Sequence, residues 1–457
     1  MDYLIYKSLF PNQEFIAYPK NLYFIPSNCF GSFVSIKRTK ISEFPYDVHG
    51  CIGNYGSNFV NKSKEEIYKI ILDVGHSALY NDNRRKSFSP IYNDSQAKFE
   101  IELMLNPVLE INKSTGIIKG TNEYFNNDEY GLIYKAPNNS ATYLPKVFEN
   151  ISWKSIKERI KRKSNNINSN GNFYAFRTKK ISKKIISIVP HIRNKIFNSF
   201  LNFNNQYFIK EIPYILQEKN NIIYDSNQYV RNNGTLYDLY VLGFNNVILN
   251  KSMNKYYNLF LKNKSIMRQA SAFLLRCLED SQKIEVICKY LLKNINNLEP
   301  NFERGEVLIG LIDKCNSQNI IFDAIQKMHA DFETQDVSIF RCNWEAKVLY
   351  IYKKKYGSTF FDTYAKKLMT KIELLANSYD LNTNTNYLVV TFEALMSLKN
   401  ILNKRFSLNA NNILFTCFYI LLTRFKKDLI FFKDMKEARL DMTGHFIQGL
   451  KTLDNKS

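Results

Sequence analysis

A chain of 457 residues with 45% hydrophobic and 14% aromatic content exceeds one ordinary core and is too apolar to be disordered. Its net charge of +21 invites an anionic partner, without distinguishing a phosphate backbone from a generally lysine-rich surface. Seven dispersed cysteines with no Cys-x-x-Cys pair indicate neither a disulfide framework nor a zinc site, and argue for a reducing, cytoplasmic setting. The first residues lack the basic start and apolar run of a signal peptide, and the most apolar segment, 413–423, is too short to span a bilayer. No membrane partner is expected.

From residue 24 to 181 short alternating runs are broken by a helical stretch at 64–80, which predicts an α+β domain. Ser63 is placed to cap that helix, and Glu65 and Glu66 suit the positive end of its dipole. Ahead of it, an apolar run at 31–36 is followed by His49-Gly50-Cys51-Ile52-Gly53. Gly50 and Gly53 permit close backbone approach and leave the Cys51 sulfur unshielded. As a nucleophile, Cys51 needs a nearby base or cation to hold the thiolate; His49 and His76 are the imidazoles within reach of the motif. The plainer alternative, a small apolar thiol in a tight strand, stays open.

These segments are joined by others in a fixed order. The 76–90 element holds His76, Asp82, Arg84, Arg85, Phe88 and Pro90; a strand-like run at 99–110 contains Pro107; Gly131-Leu132-Ile133, Tyr143-Leu144-Pro145 and Trp153 follow. Together they resemble the AMMECR domain family over roughly residues 15–182, under half of the chain. The resemblance implies an α+β fold with a site around Cys51, His49 and His76, in which Gly50, Gly53 and Arg84 or Arg85 contact the ligand. It assigns no agreed reaction. His49 stands where the family has arginine, and the arginine element is stretched, so Arg84 and Arg85 are equal candidates.

Between residues 154 and 195 thirteen lysines and arginines face Glu158 as the sole acid. That segment is either a binding surface for RNA or an acidic partner, or a solvated seam between domains. The change of rhythm near 181–190 divides the chain into an AMMECR-like domain, 1–185, and a helical domain, 186–457. In the latter, Arg231, Arg268, Arg304 and Arg341 recur at spacings of 37, 36 and 37 residues, each introducing an apolar helix that a second helix follows. Segments 386–400 and 439–450 continue the series. About six stacked hairpins predict an α/α toroid in preference to an open solenoid, with 194–203 as the remaining outer helix.

In the last segment Arg439, Asp441 and His445 share a helix, with Asp441 and His445 four residues apart on one face. A carboxylate orienting an imidazole is a general-base pairing, with Arg439 meeting an anionic group. The alternative makes Asp441 an N-cap and His445 a packed polar residue. With no third ligand in view, no metal is expected. Arg268, Arg304 and Arg341 oppose the helix dipole, which makes sense if they face an anion in a central cavity that Glu345 also joins. Toroids of this kind serve glycan-processing and isoprenoid enzymes, but the carboxylate pair that glycan hydrolysis needs is not visible in the sequence. Two readings remain: an enzyme or binding protein for a small molecule or peptide, or a non-catalytic module whose basic seam binds RNA or an acidic partner. Cofactor, substrate, reaction and oligomeric state are not legible.

Overall fold

The computed structural model describes all residues except 40–47, 84–90, 92–93, 138, 149, 166–169, 210, 245–246, 299–301, 382–383 and 453–457. The chain forms two compact units, Met1–Ile188 and Val189–Ser457.

The first unit is α+β. Its elements are α1 (Asp2–Leu9), β1 (Cys29–Lys37), β2 (Val48–Tyr55), α2 (Lys64–Tyr80), β3 (Lys98–Ile111), β4 (Gly131–Lys135), β5 (Ser140–Tyr143), α3 (Trp153–Lys163) and β6 (Asn172–Lys184). The strands form one antiparallel sheet in the order β2-β1-β3-β6-β4-β5. Alternation sets its faces: Val34 and Ile36 on β1, with Phe99 and Ile101 on β3, are wholly buried, and α2 packs on β1 and β2 with α1 beside it. α2 begins with a capping box: the Glu66 amide donates to the Ser63 hydroxyl, and the Ser63 amide donates to the Glu66 carboxylate. At the other end of the sheet, Ile156 and Ile160 of α3 pack with Leu132, Tyr134, Phe173 and Ala175. The basic segment falls on α3, β6 and the start of the next helix, and much of its charge is engaged within this unit. Lys157, Arg159, Lys163 and Arg177 lie over the rings of Trp153, Phe148, Tyr143 and Tyr130. Lys180 pairs with Glu100, and Lys183 with Asp2.

The second unit is mainly helical. It opens with α4 (Val189–Tyr207), β7 (Pro213–Gln217) and β8 (Ile222–Tyr224), then runs α5 (Tyr229–Val241), α6 (Val247–Lys262), α7 (Arg268–Cys277), α8 (Ser281–Asn294), α9 (Phe302–Lys314), α10 (Gln318–Thr334), α11 (Ile339–Tyr356), α12 (Asp362–Ser378), α13 (Thr385–Leu402) and α14 (Leu408–Thr423). β9 (Phe425–Lys426), β10 (Leu429–Ile430), β11 (Glu437–Arg439) and α15 (Leu440–Lys451) complete it. The odd-numbered helices pack in sequence, α5 on α7, α7 on α9, then α11, α13 and α15, and α15 packs back on α5. They are accordingly buried on most faces; α13 presents buried side chains at nearly every position from Leu388 to Leu398. The intervening helices each bury one stripe, as Ile321, Ala324, Ile325 and Met328 do on α10, and α4 packs against α15. Gly310 of α9 lies against the Ala272 backbone of α7, where a Cβ would collide. Two small sheets break the expected all-helical character. In one, β11 pairs with β7, so the strands leading into α15 and toward α5 are tied together.

One expectation is overturned. Cys288 and Cys315 form a disulfide that joins α8 to the residue after α9. Their 27-residue separation carries no local motif; consecutive helical hairpins bring them side by side. Among the described residues no helix is long and apolar enough to cross a membrane.

Candidate functional site

The inner helices of the second unit line two open cavities. One, of about 490 Å³, is lined by early-turn residues of each of them: Arg231 and Gly234 of α5, Gln269 and Phe273 of α7, Glu306 of α9, Phe340 and Trp344 of α11, Asn386 of α13, Asp441 and His445 of α15. The other, of about 510 Å³, is lined by late-turn residues such as Val241, Arg276, Asp313, Tyr350, Ser397 and Lys451. The inner helices therefore run in one direction, with their N-terminal ends around the first cavity and their C-terminal ends around the second.

A polar layer lies between the two cavities. His445 Nδ1 is 2.7 Å from Glu393 Oε2, which also accepts from Asn343 Nδ2 at 2.8 Å. Glu393 Oε1 is 2.6 Å from Lys347 Nζ. Lys347 donates to the Gln448 amide oxygen, and the Gln448 amide nitrogen donates to Asp238 Oδ1 at 2.6 Å. Gly444, on α15, makes the last contact possible, since a Cβ there would run into the Asp238 carboxylate. Trp344 stands edge-on to His445, with Lys347 over its ring at 4.3 Å.

Burial sorts the carboxylates of this layer. Asp238 is 2% exposed and Glu306 5%. Desolvation drives Asp238 up to about 7, against the Gln448 hydrogen bond and the charge of His445. Desolvation likewise drives Glu306 up to about 8, against a hydrogen bond from Gln269 and the charge of Lys347. One oxygen of Glu306, Oε2, is buried without a hydrogen-bond partner among the described residues, as suits a neutral carboxyl. Glu393 is equally buried, yet there Lys347 and then His445 outweigh desolvation and bring it down to about 2. Lys347 itself is lowered by burial, with Glu393 holding it up.

In the first unit Cys51 is half-buried on β2. Ser35 Oγ donates to its sulfur at 3.0 Å from the neighbouring position on β1, and the Cys51 amide donates to Asp82 Oδ2 at 2.9 Å. The strand register carries this face on through Glu100 of β3, with Phe33, Gly53 and Glu102 in the next row. Glu102 is raised, chiefly by desolvation, and Lys180 opposes this.

The AMMECR1 family model matches residues 8–180. This stretch is an AMMECR1 domain. No curated protein and no solved structure matches the chain.

Within the AMMECR1 domain the motif glycines answer to packing. A Cβ on Gly50 would strike the Ala78 carbonyl of α2, and one on Gly53 would strike the Phe33 ring. His49 is buried, with Nδ1 3.1 Å from Arg38 and Nε2 3.3 Å from the Leu79 carbonyl. His76 turns toward α1, with Nδ1 3.1 Å from the Ser8 carbonyl and its ring on Tyr80. Arg84 and Arg85 lie outside the described residues.

Beyond the AMMECR1 domain, Arg439, Asp441 and His445 do line one cavity. The predicted pairing within them is replaced, however. Asp441 receives Arg439 at 2.9 and 2.8 Å and lies 3.4 Å from Arg231, while Glu393 takes the imidazole. The repeated arginines already hold carboxylates. Arg268 grips Glu303 with two hydrogen bonds, Arg304 pairs with Asp331, and Arg341 pairs with Glu345, which also accepts from Tyr364. Arg268, Arg304 and Arg341 tie helices and turns together rather than line the cavity, which Arg231 of the same series does line, and Glu345 is held with them. Asp238, Glu306, Lys347, Glu393 and Gln448 escaped the sequence reading. Their signal was a charged or amide residue set in an apolar inner-helix run, as Glu393 is between Phe392 and Ala394. Among the described residues no cluster of three or more His, Cys, Asp or Glu side chains could hold a metal.

Proposed function

We propose that the helical unit is an α/α toroid whose cavity at the inner-helix N-termini is an active site for acid–base chemistry on a small polyhydroxylated molecule. The closed cycle of inner-helix packing supports the toroid. One observation carries the chemistry: Asp238 and Glu306 are buried with no cation paired to them among the described residues, while Glu393 is paired with Lys347 and His445. Burial raises the first two and pairing lowers the third, driving carboxylates within one layer toward opposite protonation states. Glu306, protonated at pH 7, is the proton donor. Asp238, raised toward neutrality by burial, accepts and returns a proton. His445, with Nδ1 committed to Glu393, exchanges protons through Nε2. Phe273, Phe340 and Trp344 offer apolar platforms, while Gln269 and Asn386 offer hydrogen bonds in the pattern that binds a ring bearing several hydroxyls.

The experiment is a thermal-shift screen of neutral mono- and oligosaccharides, followed by product analysis for those that stabilise. Glu306→Gln and Asp238→Asn should keep the ligand shift and lose at least a hundredfold in turnover, on the order expected for a general acid or base. Turnover should fall as pH rises through about 8, where Glu306 gives up its proton. A screen without stabilising sugars, together with tight, salt-sensitive RNA binding, would favour the interaction module instead.

A further inference from the structure

The second cavity calls for a different ligand, on grounds independent of the proposed acid–base site. Its lining carries five cations, Arg276, Lys347, Lys354, Lys355 and Lys451, against two acids, Asp313 and Glu393. Both acids are spoken for: Glu393 by Lys347 at 2.6 Å, and Asp313 by Arg276 Nε at 2.6 Å. Lys355 and Lys451 reach the carbonyls of Ile312 and Val241, in the last turns of α9 and α5. Those contacts satisfy helix-end carbonyls and offset the negative end of the dipole, but they neutralise no charge. Among the described residues Lys354 has no acidic partner and is exposed at the rim. Among the described residues, Lys354 and Lys355 therefore make no ion pair around this concavity.

Arg276 supplies the second observation. It is 7% exposed and lies over the Tyr237 ring at 3.7 Å. Its Nε serves Asp313 and its Nη2 serves the Tyr237 hydroxyl, but buried Nη1 has no hydrogen-bond acceptor among the described residues. A buried guanidinium donor left unmatched is costly and rare, and an oxyanion bound at this end of the ring would supply the acceptor. Tyr350, Ile351 and Val241 add apolar wall.

We propose that the cavity at the inner-helix C-termini binds a small organic oxyanion, a phosphate or carboxylate head on an aromatic or aliphatic body, with Arg276 as the buried anchor and Lys354 at the rim. The volume, about 510 Å³, suits such a molecule.

Phenyl phosphate, benzoate and benzyl alcohol, titrated into the full chain at matched ionic strength and followed by melting temperature and calorimetry, test this. Either or both anions should stabilise saturably, and benzyl alcohol should not; which anion binds more tightly identifies the head group. Arg276→Gln should abolish the effect. Because that buried change also threatens folding, Lys354→Glu serves as the second variant. It should keep the wild-type circular dichroism and weaken anion binding about fivefold. Stabilisation that potassium chloride reproduces, or phenyl phosphate binding unchanged in folded Lys354→Glu, would overturn the proposal. So would failure of both anions to stabilise the wild type.

Discussion

His445 Nδ1 sits 2.7 Å from a carboxylate oxygen of Glu393, 52 residues earlier in the chain, and not against Asp441 four residues before it on its own helix. Helical spacing makes an Asp441–His445 contact possible, but Arg439, on the strand leading into α15, takes both oxygens of Asp441. Glu393, arriving from α13, finds Lys347 and His445 on either side. The local pairing loses to a tertiary one in which burial strengthens every electrostatic contact.

Removing the charge of Glu393 should therefore be severe. Glu393→Gln leaves the Lys347 ammonium buried without its counter-ion, and a loss of about 3–5 kcal/mol is expected from urea denaturation. The double variant Glu393→Gln/Lys347→Met should recover much of that loss. Additive losses would mean that the pair is not coupled.

Stability of the helical unit should also depend on pH in two opposite ways. Asp238 and Glu306 are raised from 3.8 and 4.5 to about 7 and about 8, so the folded state holds their protons more tightly than the unfolded state. Their contribution is complete below about pH 4 and is lost as pH rises toward 8. Glu393 is lowered from 4.5 to about 2, so its contribution is present above pH 4.5 and lost as pH falls toward 2. Denaturation midpoints should peak at mildly acidic pH and decline toward pH 8. Asp238→Asn and Glu306→Gln should each flatten that decline; an unchanged slope would refute the assignment of the raised groups.

Two glycines are set by what lies over them. Gly444→Ala pushes a methyl into the Asp238 carboxylate, and Gly50→Ala pushes one into the Ala78 carbonyl. Each should cost about 1–3 kcal/mol. The two should differ in readout: Gly444→Ala disturbs ligand shifts at the helical cavity, while Gly50→Ala lowers the melting of the AMMECR1 domain and leaves those shifts alone.

Thiol labelling should report on Cys51. Of the cysteines outside the disulfide, Cys29, Cys277, Cys342 and Cys417 are buried and Cys51 is partly open. Ellman's reagent on the native protein should modify about one thiol quickly, and Cys51→Ser should abolish that phase. Slow, uniform labelling in both proteins would mark Cys51 as a packed strand residue.

What the sequence determined alone was written in short-range patterns. Alternating strands, the Ser63–Glu66 cap, the dispersed AMMECR motifs and a helical period near 37 residues each rest on neighbours along the chain, so backbone geometry and apolar periodicity suffice to read them. Arg439, Asp441 and His445 were legible for the same reason, as a cluster within one turn or two. The partners were not. Glu393, Lys347, Asp238 and Glu306 come from four different inner helices, and each reads by itself as a stray charge in an apolar run. Packing each inner helix on the next, and α15 back on α5, removes these charges from water at the same place. There, desolvation and pairing over 2.6–2.7 Å decide which carboxylate keeps its proton. The disulfide between Cys288 and Cys315 belongs to the same class of fact. It depends on two hairpins lying side by side, which no spacing of residues along one strand of sequence encodes.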